Sequence, residues 1–150
     1  MNYDAIFSQF EGSYVRAALV GAGQFGSSLL GQVERTAMLD VPVVCDLDVE
    51  RAKVSFLTAG YTEDDIVIAE STSASVTALE SGKRVVLADA SLINEIPVDI
   101  VVEATGNPEA AAQVGLAALS AGKHLAMVSK EADSVIGPEL ARRARRDGLV

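Results

Sequence analysis

The sequence predicts an α/β protein in which a doubly wound, mostly parallel β-sheet carries helices on both faces. Short apolar runs rich in β-branched residues alternate with helix-length segments along nearly all 150 residues. This alternation is typical of a chain that passes from strand to parallel strand through helices. The runs are too continuously apolar for a half-exposed sheet, so the predicted architecture has three layers with the sheet in the middle.

The predicted elements follow one another in a regular order. Five apolar runs are predicted to be strands, and they cover residues 15–20, 41–46, 83–88, 98–103 and 123–128. The segments between and after them that are long enough for helices cover residues 24–38, 49–58, 71–81, 108–121 and about 138–147. Residues 60–65 have no clear period and are predicted to form a loop or short turn. Residues 1–14 resemble a small amphipathic helical arm ahead of the first strand.

Several helix boundaries have their own signals. Asn107 offers an N-cap oxygen, and Pro108 suits the first helical position, where a missing N–H has no effect. Gly122 is a C-terminal stop that can adopt a positive φ. Gly137-Pro138 and Gly148 are predicted to bracket the last helix in the same way.

Composition excludes several classes of protein. The hydrophobic fraction is 49% and the charged fraction 22%, which excludes a disordered chain, a fibrous protein and a coiled coil. The 21 acidic residues exceed the 12 Lys and Arg, and the net charge of −9 argues against nucleic-acid and anionic-membrane partners. One cysteine precludes an internal disulfide, no Cys/His cluster suggests a metal, and no apolar run approaches the roughly 18 residues of a membrane span. We expect a cytoplasmic domain.

A glycine-rich turn joins the first predicted strand to the first helix. It has the pattern G-x-G-x-x-G and consists of Gly21, Ala22, Gly23, Gln24, Phe25 and Gly26. In such a turn the first glycine allows a tight bend, the second lets the backbone approach a pyrophosphate, and the third lets the helix pack on the strand. The amide N–H groups of residues 24–27 are predicted to face the phosphates. The alternative is a tight turn without a ligand, which the strand before it and the helix after it disfavour.

Asp46 ends the second predicted strand, twenty positions after Gly26. At this place a carboxylate accepts hydrogen bonds from the adenosine ribose, which favours NAD over NADP because a 2′-phosphate would be repelled. NADP remains the alternative cofactor, and an exposed turn residue is the alternative role for Asp46. Asp48 and Arg51 are predicted to be solvated charges at a helix start. The alternative is that Arg51 offsets the negative charge of this turn if the loop swings inward.

Two further turns follow predicted strands at the same edge of the sheet. Ala104, Thr105 and Gly106 are predicted to border the nicotinamide half of the cofactor, or else to form a turn that needs small residues. Lys130 follows the last predicted strand, where its ammonium group can polarise a substrate carbonyl during hydride transfer. The alternative for Lys130 is a surface cation paired with Glu131 or Asp133. For His124 and Cys45 we expect structural roles.

Four segments, VGAGQFGSSL, VVCDLDVERA, VVEATGNPEAA and AGKHLAMVSKEAD, together resemble the dinucleotide-binding domain of the homoserine dehydrogenase-like family. The likeness covers about residues 3–150 and is nearest to the branch of 1-deoxy-D-xylulose 5-phosphate reductoisomerase-like enzymes, whose full chains carry a C-terminal SAF domain. The resemblance implies a Rossmann fold. It also implies a role near the substrate for Lys130, because Ser129-Lys130 stands where the family has an Asn-Lys pair.

These features predict a Rossmann-type domain, residues 15–150, of an NAD(P)-dependent oxidoreductase that acts on a small polar alcohol or carbonyl substrate. We expect the domain to be part of a longer enzyme, to bind cofactor without turnover on its own, and to permit a homo-oligomer. A non-catalytic NAD(P)-sensing regulatory module is the first alternative. A degenerate Rossmann fold that serves only for assembly is the second.

Overall fold

A six-stranded parallel sheet is the centre of the fold. The computed structural model describes residues 14–33, 35–36 and 38–150. The strands are β1 (Val15–Val20), β2 (Leu39–Cys45), β3 (Ile66–Ile68), β4 (Arg84–Leu87), β5 (Ile100–Glu103) and β6 (His124–Met127). The helices are α1 (Gln24–Val33), α2 (Val49–Thr58), α3 (Thr72–Glu80), α4 (Pro108–Ser120) and α5 (Lys130–Arg146). The strand order is β3-β4-β2-β1-β5-β6, with every pairing parallel, so the predicted fold class is confirmed.

The buried parts of the central strands are almost entirely apolar because both faces of the sheet are covered. In β1, Ala17 and Leu19 belong to one buried cluster, whereas Ala18 and Val20 belong to another on the opposite face. All four side chains are at most 4% exposed. Successive side chains of a strand point to opposite faces, so a strand between two helical layers is apolar at successive positions rather than at alternate ones.

The sheet reverses its direction of winding between β1 and β5. From β1 the chain proceeds to β2, β3 and β4 on one side, and it then returns to β5 and β6 on the other. The turns that leave β1 and β5 therefore diverge and leave a crevice at the carboxyl ends of the two strands. Ligands of doubly wound sheets bind at such a point.

The edge strand β3 was not predicted from the sequence. It has only three residues, and Ile68 at its end is 45% exposed. A short 3-10 turn, Glu63–Asp65, precedes it and is closed by a reciprocal cap between Thr62 and Asp65. A strand this short has no period to detect, so it is recognised only by its pairing with β4.

The first and last helices differ from their predicted ranges. Helix α1 ends at Val33 rather than residue 38, and β2 begins earlier, at Leu39. Helix α5 begins at Lys130 rather than near residue 138, so Gly137-Pro138 lies inside it instead of before it. A glycine and a proline usually mark a boundary, but buried residues on both sides of the pair hold one continuous helix against the sheet, namely Ala132, Leu140 and Ala144.

Two other expectations concern the ends of the chain and membranes. The helical arm predicted for residues 1–14 falls outside the described residues, apart from Tyr14. Within the described ranges, no helix has the length and apolar character needed to cross a bilayer.

Candidate functional site

A cleft of about 530 Å³ lies at the carboxyl ends of the central strands. Its volume is in the range of small-molecule and cofactor sites. Five predicted site residues line it, namely Gly21, Gly23, Asp46, Ala104 and Thr105. The structure thus brings residues that are up to 84 positions apart in the sequence (105 − 21) to one edge of the sheet.

The three motif glycines have different surroundings. Gly21 has a φ of +104°, and a Cβ there would lie 2.4 Å from the carbonyl oxygen of Ala104. A Cβ at Gly26 would lie 2.2 Å from the carbonyl oxygen of Gly21. At Gly23, by contrast, a Cβ would meet no protein atom within 4 Å. Gly21 and Gly26 are therefore required by the packing of the turn, whereas the open space at Gly23 suits a ligand that approaches the backbone.

The start of α1 offers a row of amide donors. The N–H groups of Gly23, Gln24, Phe25 and Gly26 precede the first completed helical bonds, and none has an acceptor in the described part of the chain. The Ser27 N–H, which was predicted to belong to this row, instead donates to the Gly23 carbonyl at 3.0 Å. The donor row therefore runs over residues 23–26. Such unsatisfied donors and the positive end of the helix dipole form an anion-binding arrangement.

Asp46 faces this turn from the end of β2, and its side chain is almost completely buried. Its Oδ2 accepts the Ala22 N–H at 2.7 Å, and its Oδ1 accepts the Asp48 N–H at 2.9 Å. Arg51 makes a bidentate contact with the same carboxylate: its Nη2 donates to Oδ1 at 2.6 Å and its Nε donates to Oδ2 at 3.3 Å. The carboxylate thus ties the glycine turn to the start of α2.

The charge state of Asp46 depends on these donors. Burial by itself would raise the pKa of the Asp46 carboxyl, but hydrogen bonds from Arg51, Ala22 and Asp48 outweigh it and lower the pKa below its ordinary value. Arg51 and Asp48 are exposed at the start of a helix, as predicted, but both also make hydrogen bonds, and the alternative in which Arg51 offsets the negative charge is the one that the structure shows. Arg51 is 54% exposed yet paired with Asp46, and the Asp48 carboxylate caps α2 by accepting the Arg51 N–H at 3.1 Å.

Glu103, at the end of β5, was not identified from the sequence. Its side chain is completely buried, and its Oε1 accepts the N–H and the Oγ1 hydroxyl of Thr105, both at 2.7 Å. The Ser129 hydroxyl donates to the same oxygen at 2.9 Å. The Ser129 N–H lies 3.4 Å from Oε2. We call the Asp46 and Arg51 pair the β2 side of the cleft, and Glu103, Thr105, Gly106 and Ser129 the β5 side.

Lys130, the predicted catalytic residue, is the first residue of α5, next to the β5 side. Its side chain is exposed and does not line the cleft. Lys130 is a surface cation, as its alternative predicts, but in the described ranges it forms no ion pair with Glu131 or Asp133. Gly106 is exposed, and its N–H donates to the Ser129 hydroxyl at 2.9 Å.

Cys45 and His124 occupy structural positions. Burial, together with the charges of Asp46 and Asp89, raises the pKa of the Cys45 thiol to about 12, so it remains protonated and unreactive at neutral pH. His124 begins β6 at the opposite end of the sheet from the cleft, where its Nδ1 accepts the Val150 N–H at 3.1 Å. Within the described ranges, no group of three or more His, Cys, Asp or Glu side chains is arranged to hold a metal ion.

The residues present fit a dinucleotide. The donor row at residues 23–26 suits a pyrophosphate, the space at Gly23 admits it, and the Asp46 carboxylate lies beside the same turn. Among residues 14–33, 35–36 and 38–150 the side chains leave this cleft open, and Gly21 and Gly23 line it at the carboxyl ends of the strands.

Comparisons with known proteins agree with this geometry. Residues 21–149 match the family model described as "Homoserine dehydrogenase, NAD binding domain". No match was found among the curated protein sequences.

Similar solved structures include a homoserine dehydrogenase from Thiobacillus denitrificans, with 20% identity and a TM-score of 0.63 over 92% of this chain and 29% of that one. A dehydrogenase from Chromobacterium violaceum has 23% identity and a TM-score of 0.61 over 92% of this chain and 34% of that one. The WlbA dehydrogenase from Bordetella pertussis, solved in complex with NADH and UDP-GlcNAcA, has 18% identity and a TM-score of 0.55 over 91% of this chain and 36% of that one.

At these identities the solved structures support the fold, and the chain spans only about a third of their length. The family model, in contrast, covers almost the whole chain, from the first motif glycine to the penultimate residue. The chain belongs to the family of homoserine dehydrogenase NAD-binding domains.

Proposed function

We propose that this domain is the cofactor-binding part of an NAD(P)-dependent oxidoreductase that acts on a small polar alcohol or carbonyl compound. The observation that carries the proposal is the donor row at residues 23–26, with the Asp46 carboxylate hydrogen-bonded to the same turn at the edge of an open cleft. When bound, the nicotinamide exchanges a hydride with the substrate carbon, and the protein contributes position and electrostatics.

The β2 side and the glycine turn would hold the adenosine half of the cofactor. The N–H groups of Gly23 to Gly26 would bind the pyrophosphate, with Gly21 and Gly26 shaping the turn. Asp46 would accept the ribose hydroxyls and thereby favour NAD. Its two oxygens already accept four hydrogen bonds from three residues, Ala22, Asp48 and Arg51, which leaves no unused acceptor direction. The exposed Arg51 is the donor best able to yield to a sugar, because the other two are main-chain groups.

The β5 side would hold the nicotinamide half. The sheet order puts β5 and β6 on the opposite side of β1 from Asp46, so a dinucleotide anchored at Asp46 and the glycine turn extends toward Ala104, Thr105 and Gly106. Lys130, next to them, would polarise the substrate oxygen. In the full-length protein, Lys130→Met is then expected to lower kcat with little change in cofactor affinity.

The proposal extends to the protein as a whole. The domain would belong to a longer enzyme of the branch with a C-terminal SAF domain, which would contribute the remaining substrate-binding residues. A cytoplasmic location is consistent with the single, buried cysteine. The net charge of −9 argues against nucleic-acid and anionic-membrane partners, and a homo-oligomer is compatible with it.

Titration with reduced cofactors tests the proposal. The chain has no tryptophan, so the fluorescence of NADH or NADPH can be followed without an indole background. We expect NADH to bind more tightly than NADPH, and Asp46→Ala to narrow or reverse the difference because it removes the carboxylate that repels a 2′-phosphate.

Asp48→Asn is the matched control. It removes one negative charge from the same loop but retains a side chain that can cap α2, so it should preserve the preference for NADH. Equal affinities of the unmodified domain for both cofactors would remove the selective role of Asp46. Failure of both cofactors to bind would refute the proposed function itself.

A further inference from the structure

The buried carboxylate of Glu103 connects two turns that are far apart in the sequence. One is the turn from β5 to α4, which contributes the Thr105 N–H and hydroxyl. The other is the junction between β6 and α5, which contributes the Ser129 hydroxyl and N–H. The side chain of Glu103 thus fixes the distance between the two turns at the open edge of the sheet.

Ser129 strengthens this connection in an unusual way. It is the N-cap residue of α5, but its side chain makes no capping hydrogen bond to that helix. The hydroxyl instead donates to Glu103 at 2.9 Å and accepts the Gly106 N–H at 2.9 Å. A serine that normally stabilises its own helix here holds the neighbouring turn.

Stability alone does not account for a carboxylate in this place. Glu103 is fully buried, and within the described ranges its donors are neutral, with no ion-pair partner. Removing a carboxylate from water is unfavourable unless its hydrogen bonds compensate, and apolar replacements of buried charges are often neutral or stabilising. The donors of Glu103 all come from turns at the cleft edge, so its structural effect is concentrated there.

We propose that Glu103 is a positioning residue for the nicotinamide half of the cofactor. Through Thr105 and Ser129 it holds the turn that borders the nicotinamide, and it sets the start of α5, where Lys130 lies. The inference rests on the proposed function, because it presupposes that the cofactor extends from the β2 side to the β5 side. It assigns to Glu103 no contact with the cofactor or substrate.

The test compares NADH with ADP-ribose, which has the adenosine, the pyrophosphate and the second ribose but no nicotinamide. In Glu103→Gln the amide oxygen can take the place of Oε1 and keep its three hydrogen bonds. The amide NH2 group then takes the place of Oε2 and faces the Ser129 N–H, so that two donors oppose each other without an acceptor. The turns should loosen without loss of the fold. We expect NADH affinity to fall on the order of tenfold and ADP-ribose affinity to change by less than about twofold, since only the nicotinamide contacts are affected.

Ser129→Ala provides a second variant if Glu103→Gln folds poorly, and it should alter the NADH to ADP-ribose ratio in the same direction. Ser75→Ala is its matched control. Ser75 is also fully buried and donates its hydroxyl to the Ser71 carbonyl at 2.8 Å, but it lies in α3, away from the cleft. It should leave the ratio unchanged whatever it does to the melting temperature.

The outcomes separate the two proposals. If both ligands bind but their affinity ratio is the same in Glu103→Gln, Ser129→Ala and the unmodified domain, Glu103 has only a structural role and the positioning inference is overturned. The proposed function then stands. If neither NADH nor ADP-ribose binds the unmodified domain, the proposed function fails and the inference fails with it.

Discussion

The two sides of the cleft each contain a buried carboxylate at the end of a strand, but they stabilise it differently. Asp46, on the β2 side, accepts two main-chain N–H groups and a half-exposed guanidinium. Glu103, on the β5 side, accepts only neutral donors, two from each of two turns. One partner of Asp46, the exposed Arg51 side chain, can move away. The partners of Glu103 belong to two turns that its carboxylate holds together.

This difference indicates different tasks for the two carboxylates. A group that must accept hydrogen bonds from a ligand needs a partner that can be exchanged for it, and Arg51, on a long and exposed side chain, meets that need. A group that holds turns in place needs partners that do not exchange. The β2 side is therefore suited to direct binding and the β5 side to support of the binding surface.

Gly21→Ala tests the contact that joins the two sides and should have the largest effect on stability. The new Cβ would lie 2.4 Å from the Ala104 carbonyl oxygen, at a φ of +104°. Left-handed strain and the main-chain overlap together should lower the free energy of unfolding by on the order of 3 kcal/mol. Urea denaturation followed by circular dichroism measures it.

Gly82→Ala is the control for this substitution. Gly82 has a φ of +75° but no atom within 4 Å of its Cβ position. Gly82→Ala should therefore lower the free energy of unfolding through backbone strain alone, by about 1 kcal/mol. An equal decrease in the free energy of unfolding in both variants would mean that the close contact between Gly21 and Ala104 adds nothing to the cost of Gly21→Ala.

Gly23→Ala should separate binding from folding at the same turn. Its Cβ meets no protein atom, so the free energy of unfolding should be unchanged or raised by about 0.5 kcal/mol. The methyl group would occupy the approach to the donor row, and NADH affinity should fall at least about tenfold, or about 1.4 kcal/mol. Unfolding curves and fluorescence titration measure the two quantities.

Gly31→Ala is the matched control, because Gly31 lies in α1, the helix that directly follows Gly23, outside the cleft and with nothing within 4 Å of its Cβ position. It should retain NADH affinity. Retained affinity in Gly23→Ala as well would place the pyrophosphate elsewhere.

The sequence reveals the β2 side much better than the β5 side. The glycine turn is local and has fixed spacing, and Asp46 follows it at the distance expected for a strand-helix-strand unit. Glu103 and Ser129 are 26 positions apart and meet only because β5 and β6 are neighbours. A single sequence contains no signal for that pairing, although a lone acidic residue at the end of an apolar run is a reason to look for its donors.

The sequence also predicts the layers and most strands, because continuous apolar runs follow directly from burial on both faces. The errors have local causes. Strand β3 is too short to have a period, and α5 continues through Gly137-Pro138 because packing of Ala132 and Leu140 outweighs the local preference for a break. The Arg51 contact with Asp46 depends on a side-chain conformation that composition does not determine.

Arg51→Met has the smallest expected effect on stability. It tests whether Arg51 is a replaceable partner of Asp46. Burial raises the pKa of Asp46, and Arg51 is the strongest of the influences that lower it. Without the guanidinium, the pKa of Asp46 should rise. The carboxyl carbon shift of Asp46, followed by NMR as a function of pH, measures this change, and the corresponding shift of Glu103 at neutral pH should not move.

The sign of the stability effect follows from linkage. In the native state the pKa of Asp46 lies below its ordinary value of 3.8, so the unfolded state binds the proton first as the pH falls. The stabilisation is complete above about pH 4 and is lost as the pH falls through the native pKa. Arg51→Met, in which the native pKa lies closer to the unfolded value, should therefore start less stable at neutral pH and lose less further stability on acidification than the unmodified domain. Arg145→Met, whose Nε donates to the Ala141 carbonyl, should lose as much on acidification as the unmodified domain. An unchanged Asp46 titration in Arg51→Met would show that the two main-chain donors suffice, and both carboxylates would then be held by fixed partners alone.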